Sequence, residues 1–524
     1  MLKKLTKVFR AKALEGGTKI AINCEKLETR VAVMEDGELE EYTVERTDDV
    51  NIVGSIYKGV VRNVETGLKA MFVDIGMEKN AFLHFWDAIP EALDSGMEEI
   101  RREGGGKGGK KRQPRITSQD IPKLYPAGSE VLLQVSKGPI GNKGPRVTTN
   151  ISLAGRYMVL MPRNDQFGIS RKIEDPKERA RLRKVMEKLQ VPEGMGIILR
   201  TVATGQRLRY FIRDLSILLE QWAEIEDNAA SNKAPTCVFR EPDLIERTVR
   251  DFLTDEIQEV LCDNAEAVQR MKELVGTISR RSKKRIHLFE NSEPIFENLK
   301  IQKQIDDAFF RQVWLPSGGY LVIDETEAMI AVDVNTGRAK KQDKMILQTN
   351  VEAAREVARQ LKLRNIGGLV VVDFIDMRGR RDQQAVYRAM KERLKMDKAK
   401  TQALQISQLG LMEMTRQRLH ESLNMTVTEP CHYCQGRGRV KTPESMSVEL
   451  QRAVSAVLAK HRDCDDLVVI VHPDVMERLK TKDSELLVDL ERRHQARLTF
   501  RSDPAFHREK ISILDGSTQK EMVF

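Results

Sequence analysis

The sequence predicts a multidomain α/β protein, and three observations carry the prediction. Its 524 residues, 40% of them hydrophobic, are enough chain for several domains that each bury a core. Through the middle of the chain, β-rich runs such as 320–323, 328–334 and 369–372 alternate with stretches whose apolar residues recur at helical spacing. Nearer the N-terminus, from 53 to 83 and again from 130 to 151, strand-like segments are punctuated by Gly59, Gly67, Gly76 and Gly144, the pattern of a small five-stranded barrel.

In chain order, residues 1–17 are basic, with Leu2, Leu5, Val8 and Phe9 loosely on one helical face, and read as a frayed tail or a weak contact with an anionic surface. Segments 21–23, 29–34 and 40–44 read as short strands about the turn Glu35-Asp36-Gly37, opening a small sheet. The barrel segments follow, interrupted by RREGGGKGGKKRQPR at 101–115, which has no apolar periodicity and reads as a flexible basic loop. From 155 to about 245 comes a mixed α/β segment with a charged helix at 176–189 and a strand at 196–202. A helix-rich span at 243–274, the segment KRIHLFE and a helix at 301–313 lead into the central stretch.

Residues 317–378 organise the rest. Two strands, 320–323 and 328–334, are joined by the polar turn Asp324-Glu325-Thr326-Glu327, and Asp333 closes an otherwise apolar run. Thr349 and Asn350 are good caps for a helix marked by Val351, Ala354, Ala358 and Leu361, which Gly367-Gly368 stops. Leu369 to Val372 is a continuously apolar strand of the kind buried on both faces of a sheet, and Asp373 ends it. In open α/β sheets ligands sit beyond the carboxyl ends of strands. Asp333 and Asp373, 40 positions apart, are therefore placed to converge, and paired hard oxygens suit Mg²⁺. Asn335 shares the face of Asp333 in an extended segment, whereas Asp376 points elsewhere if the strand continues. The plainer alternative is that each aspartate caps a turn after its strand.

Beyond Asp376, Val386, Ala389, Met390 and Leu394 mark a helix, followed by a short strand at 403–406 and a helix at 412–419. Cys431-His432-Tyr433-Cys434-Gln435-Gly436-Arg437-Gly438 is half of a zinc knuckle, two thiolates on a tight turn with glycines that let backbone amides approach sulfur. A closed tetrahedral site needs four ligands and the chain has no second CxxC. A two-fold axis through the metal would present the same two cysteines twice. A redox dithiol or an intrachain site are the alternatives. From 441 onward, a helix at 448–460, a strand at 467–471 and further helix read as a small α/β domain.

A formal net charge of +9 fits a polyanionic partner, although 31% charged residues of both signs also fit a merely soluble surface. Six cysteines, four of them isolated at Cys24, Cys237, Cys262 and Cys464, speak against a disulfide framework and for a reducing compartment. No apolar run approaches the ~20 residues a bilayer span requires and no signal-peptide core is visible, so no transmembrane segment and a cytoplasmic location are expected.

The words DVNTGR, GGLVVVDFIDM and ISLAGRYMVLMP resemble the ribonuclease E/G family of single-strand-specific endoribonucleases, and the likeness runs through nearly the whole chain. IYKGVV, FVDIG and AFLHF are similar to the S-one type of OB-fold. The resemblance implies an RNase H-like subdomain, its first part at 1–50 and its second at 246–309. Inserted between them are an OB-fold barrel at 51–150 and a 5′-monophosphate sensor at 151–245. It further implies a DNase I-like catalytic core at 310–427, a zinc-link at 428–441 and a small C-terminal domain at 442–524, the short form without a long scaffold tail.

By motif position, the resemblance assigns Asp333 and Asp373 to Mg²⁺ and Asn335 to the scissile phosphate. Phe72, Phe82 and Lys143 fall on its RNA-contacting positions, the rings stacking on bases. Composition alone leaves either ring free to be barrel core. Gly155, Val159, Arg171, Arg200 and Thr201 fall on the 5′-monophosphate pocket, and a guanidinium beside a hydroxyl is sound phosphate chemistry. Cys431 and Cys434 would share one Zn²⁺ with a second chain, giving a homodimer and leaving a homotetramer open. Where the family has Cys-Pro-x-Cys, this chain has His432, which removes a stiffening proline and adds an imidazole.

The expected activity is Mg²⁺-dependent internal hydrolysis of single-stranded RNA, in rRNA and tRNA processing and mRNA decay, leaving 5′-phosphate and 3′-hydroxyl ends and stimulated by a 5′-monophosphate. Only eight histidines exist and none lies between 317 and 378, so histidine-based cleavage fits the residues poorly. The rival is a non-catalytic RNA-binding scaffold, against which the intact Asp333, Asn335 and Asp373 argue. A DNA-directed nuclease is opposed mainly by the resemblance.

Overall fold

A computed structural model describes residues 17–47, 52–89, 97–99, 120–139, 143–253, 257–278, 280–337, 343–418, 421–461 and 466–522. The basic tail and the 101–115 loop lie outside these. The backbone divides into two compact units, Met1–Thr426 and Val427–Phe524. No described helix is long and apolar enough to cross a membrane.

Asp36 and Gly37 both take left-handed backbone angles, φ 52° and 85°, the turn that folds Glu28–Glu35 back on Glu38–Arg46 without splaying the strands. Thr18–Cys24 lies beside Glu28–Glu35 and, on its other side, runs parallel to Ile257–Cys262, which pairs with Ile286–Leu288. The span read as helix-rich at 243–274 therefore contains a strand, set between the helices Leu244–Phe252 and Ala265–Ile278. Six residues are too few for periodicity to separate strand from helix, and here a partner distant in sequence decides.

Ile56–Glu65, Ala70–Asp74, Ala81–His84, Arg146–Thr148 and Glu130–Lys137 pair in that order, and the last returns to the first, closing a five-stranded barrel. Met71, Val73, Leu83, Leu133 and Val147 fill it. A β-carbon at Gly59 would lie 2.9 Å from the Asp74 carbonyl oxygen, so the close approach of these two strands requires glycine. Leu153–Ala154, Met158–Pro162, Met195–Leu199, Phe167–Ser170 and Met97–Glu99, the last from between the barrel strands in sequence, form a five-stranded sheet. Against it the helix Leu208–Ser231 packs Phe211, Leu215, Leu218 and Trp222.

The central sheet has six strands in the order Gln312–Trp314, Tyr320–Glu325, Met329–Asn335, Gly368–Asp373, Leu411–Arg416 and Thr401–Ala403, and only the third and fourth pair in parallel. Helices Asp343–Leu363 and Arg380–Leu394 cover one face, where Val332, Val334, Val370, Val372, Met412 and Met414 are buried. The opposite face is open. Along Gly368–Asp373 burial alternates and Leu369 is 41% exposed, which corrects the expectation of a strand buried on both sides.

Three further readings change here. Residues 411–416 form a strand and not a helix, with Met412 and Met414 inward and Glu413 outward, a period of two that apolar content alone concealed. The helix expected over 301–313 is a short helix, Gln302–Asp307, followed by the strand Gln312–Trp314. Thr349 and Asn350 do not cap a helix. They lie buried inside one that begins at Asp343.

In the second unit, Asp466–Val471 lies between Arg497–Ser502, parallel to it, and the antiparallel Ser512–Asp515. The helices Pro443–Lys460, Pro473–Thr481 and Ser484–His494 bury Leu450, Val454, Val475 and Leu490 in its core.

Candidate functional site

Asp333 and Asp373 stand directly opposite each other on the parallel pair of strands, at the last rung of the ladder. Side chains so paired share a face, here the open one, and both residues are exposed. Asn335 Nδ2 donates to Asp333 Oδ2 at 2.7 Å. Partial desolvation, followed by the nearby charges of Asp333 and Asp376, pushes the Asp373 carboxyl above the usual carboxylate range. The expectation that Asp376 points elsewhere held for a strand that continues, and here Asp376 is one of the charges that raise Asp373. The strand stops at Asp373, and Asn350 holds the segment that follows. Its Nδ2 donates to the Ile375 carbonyl at 2.8 Å, and its Oδ1 accepts the Ile375 N–H at 3.1 Å. Asn350 is wholly buried, and its only signal in the sequence is an amide among apolar helix neighbours. Among the described residues, none of the three carboxylates has an ion-pair partner.

On the barrel, Phe72 and Phe82 face each other across neighbouring strands, their rings 5.9 Å and 71° apart, with His84 6.4 Å from Phe82. Both are half-buried and stand outside the barrel core. Lys143 is exposed, next to Gly144, where a β-carbon would come 2.1 Å from the Asn80 carbonyl. That contact sets Lys143 beside the turn leading to Phe82.

Gly155, Val159, Arg200 and Thr201 also come together. Gly155 lies against buried Asp214, which accepts the backbone N–H groups of Arg156, Tyr157 and Met158 at 3.1, 2.8 and 3.2 Å. A β-carbon on Gly155 would fall 2.7 Å from Asp214 Oδ2. Val159 pairs with Ala154 on the adjoining strand. Arg200 donates to the Gly155 carbonyl at 2.6 Å and pairs with Asp251 at 2.7 Å, and Thr201 opens the turn Thr201–Ala203. Arg171 is exposed just beyond Phe167–Ser170, which runs parallel to the strand leading into Arg200, so both arginines lie at the same sheet end.

Lys172 is adjacent to Arg171, and nothing local in the sequence marks its role. Its Nζ donates to the carbonyls of Asp397 and Lys398, and Asp397 forms a buried ion pair with Arg416 at 2.6 Å. Arg416 ends the strand beside Gly368–Asp373, so the arginine-bearing turn is fastened to the acidic sheet.

In the second unit, Gln435, Gly436 and Gly438 take φ of 52°, 79° and 68°, wrapping the chain so that the Gly438 N–H donates to Cys434 Sγ at 3.3 Å. Hydrogen bonds from the backbone of Cys434 and Tyr433, and from the Cys434 thiol, hold the exposed Cys431 thiol below its usual range. His432 is 87% exposed, with Nε2 3.1 Å from Glu429 Oε1. Cys24 and Cys262, read as isolated, lie with Sγ atoms 3.9 Å apart at the ends of adjacent strands. With Asp263 they are the one group among the described residues whose three such ligand atoms lie within 4.8 Å of one another.

The geometry defines a class: an α/β protein that sets paired carboxylates on the open face of a sheet, together with a closed five-stranded barrel. Residues 152–419 match the model described as the Ribonuclease E/G family, and residues 430–516 match the RNase E/G thioredoxin-like domain. Over 498 residues the chain is 35% identical to Ribonuclease G of Escherichia coli (strain K12), covering 94% of this chain and 99% of that protein. It is 36% identical over 507 residues to Ribonuclease E of Haemophilus influenzae, covering 95% of this chain and 52% of that one. The chain belongs to the ribonuclease E/G family, a family of endoribonucleases.

Proposed function

We propose that the chain hydrolyses single-stranded RNA internally and that Asp333 and Asp373 hold Mg²⁺ for the reaction. The observation that carries this reading is the register of the two carboxylates, opposite each other on the open face with no basic partner among the described residues. Two hard carboxylate oxygens beside an amide are a donor set suited to that ion. Bound there, Mg²⁺ supplies Lewis acidity and a water of lowered pKa. The protein's own part is to hold these donors still. Asn335 fixes Asp333 through its 2.7 Å bond and presents an amide to a phosphate oxygen at the same edge. Asn350 keeps Asp376 beside the pair.

The barrel is read as an OB-fold in which Phe72 and Phe82 stack on bases and Lys143 meets a phosphate. The N-terminal sheet is read as RNase H-like and the central sheet as DNase I-like. Gly155, Val159, Arg171, Arg200 and Thr201 receive a 5′-monophosphate, which competes with Asp251 for the Arg200 guanidinium. Cys431 and Cys434 are two of the four thiolates of a Zn²⁺ shared with a second chain, an arrangement supported by the amide already aimed at Cys434 Sγ. A cytoplasmic location accords with an RNA substrate. The test is incubation of a short single-stranded RNA with Mg²⁺ or with EDTA. Internal cuts that depend on the metal and leave 5′-phosphates support the reading, and intact RNA under both conditions rejects it.

A further inference from the structure

The open face carries a second feature beside the carboxylates. Trp314 is 67% exposed, and its ring lies 5.4 Å from that of Tyr320, tilted by 58°. Trp314 pairs with Tyr320 across one ladder, and Tyr320 pairs with Asn335 across the next. The three therefore form one row across three strands, on the face that bears Asp333. Neighbouring strands lie ~4.8 Å apart, so Trp314 stands about 10 Å from the strand of Asn335. The row is held firmly. Leu315 N–H bonds the Gly319 carbonyl at 2.8 Å, closing the hairpin between the two aromatics. A β-carbon on Gly337 would come 2.2 Å from the Gly318 carbonyl, so that hairpin also abuts the chain leaving Asn335.

A tryptophan left in water on an edge strand loses the stabilisation that burial would bring, and an indole face is a good surface for an unpaired base. We propose that Trp314, backed by Tyr320, is a stacking platform for the nucleobase that flanks the phosphate held at Asp333, Asp373 and Asn335. This rests on the nuclease reading above. The ligand is a single unpaired base of either type, since every base offers a π-face. The platform anchors the base beside the cleaved phosphate, independently of the barrel.

The test uses the full chain and a short single-stranded RNA with one cleavage site, with or without an abasic residue at each flanking position. For the wild type, one abasic position should raise KM about fivefold or more. Trp314→Ala should show that raised KM on intact RNA, with the loss in KM and not in kcat, and no further loss on the abasic RNA. Trp314→Phe should restore most of the difference. An unchanged KM for Trp314→Ala, or losses that multiply, would overturn the proposal. A change in mass by light scattering on Trp314→Ala would overturn it too, by making the aromatic pair an interface between copies. If the wild type cuts none of these RNAs, the nuclease reading fails, and the same comparison is read as Kd by anisotropy of labelled RNA in EDTA.

Discussion

Replacing Asp373 with asparagine should remove activity and stabilise the fold at once. Asp373 faces Asp333 across neighbouring strands. Two such charges about 5 Å apart repel by roughly 0.8 kcal/mol at the dielectric constant of water, and by more where the local value is lower. Without metal, removing one charge relieves that repulsion, a gain of about 1–3 °C in Tm for a unit of this size. Cleavage should fall about a hundredfold or more, because the chemistry a metal supplies is worth several kcal/mol. The pH dependence fixes the sign. The Asp373 carboxyl is raised in the fold, so its protonated form favours folding. That contribution is fully present below the ordinary aspartate range and is lost as pH rises through the raised value. The variant should therefore match the wild type in acid and exceed it in Tm at neutral pH. Differential scanning in EDTA at acid and neutral pH, beside RNA cleavage with Mg²⁺, reads both effects. A variant that loses activity and also melts lower at neutral pH would refute the reasoning, as would one that still cuts.

Asn350→Ala leaves the Ile375 N–H and carbonyl without partners and should cost about 1–3 kcal/mol in urea unfolding, together with lower kcat. Unchanged stability would mean the amide holds nothing. Cys431→Ser with Cys434→Ser should abolish bound zinc, read by metal analysis, and halve the mass seen by light scattering. A wild type with no zinc and the same mass as the variant would refute the link. Arg200→Ala should erase a preference of about tenfold or more in kcat/KM for 5′-monophosphorylated over 5′-hydroxyl RNA, leaving slow cleavage of the hydroxyl substrate. Equal rates on the two RNAs by the wild type would show that no sensor operates.

Part of this architecture was legible because its signals are local. The Asp36-Gly37 turn needs residues tolerant of positive φ, and the apolar spacing in 380–394 has a helical period, so both are written in short words. The carboxylates were found because each ends an apolar run and a strand end is a place ligands use. Other features depend on partners distant in sequence. Met412 and Met414 look like any apolar residues until the antiparallel strands on either side set the period. Asn350 resembles a cap until Ile375 arrives beside it. Cys24 and Cys262 seem isolated because their neighbour relation runs across a parallel ladder. Lys172 sits one residue from Arg171, yet its work is done on carbonyls of a turn, Asp397 and Lys398, distant in sequence.

The rung that carries Asp333 and Asp373 has a consequence for how such a protein can change. Because side chains alternate along a strand, a slip of one residue between these two strands would turn one carboxylate into the apolar layer beneath the sheet. A misregistered chain is therefore not a weaker catalyst but an unstable one, and selection for folding already guards the spacing of the acids. The connection 404–410, which enters the sheet at Leu411 opposite Asp373, lies outside that parallel ladder and is free to change its charges. Substrate preference can drift there through generations while the distance between the two acids stays fixed by the same hydrogen bonds that hold the sheet.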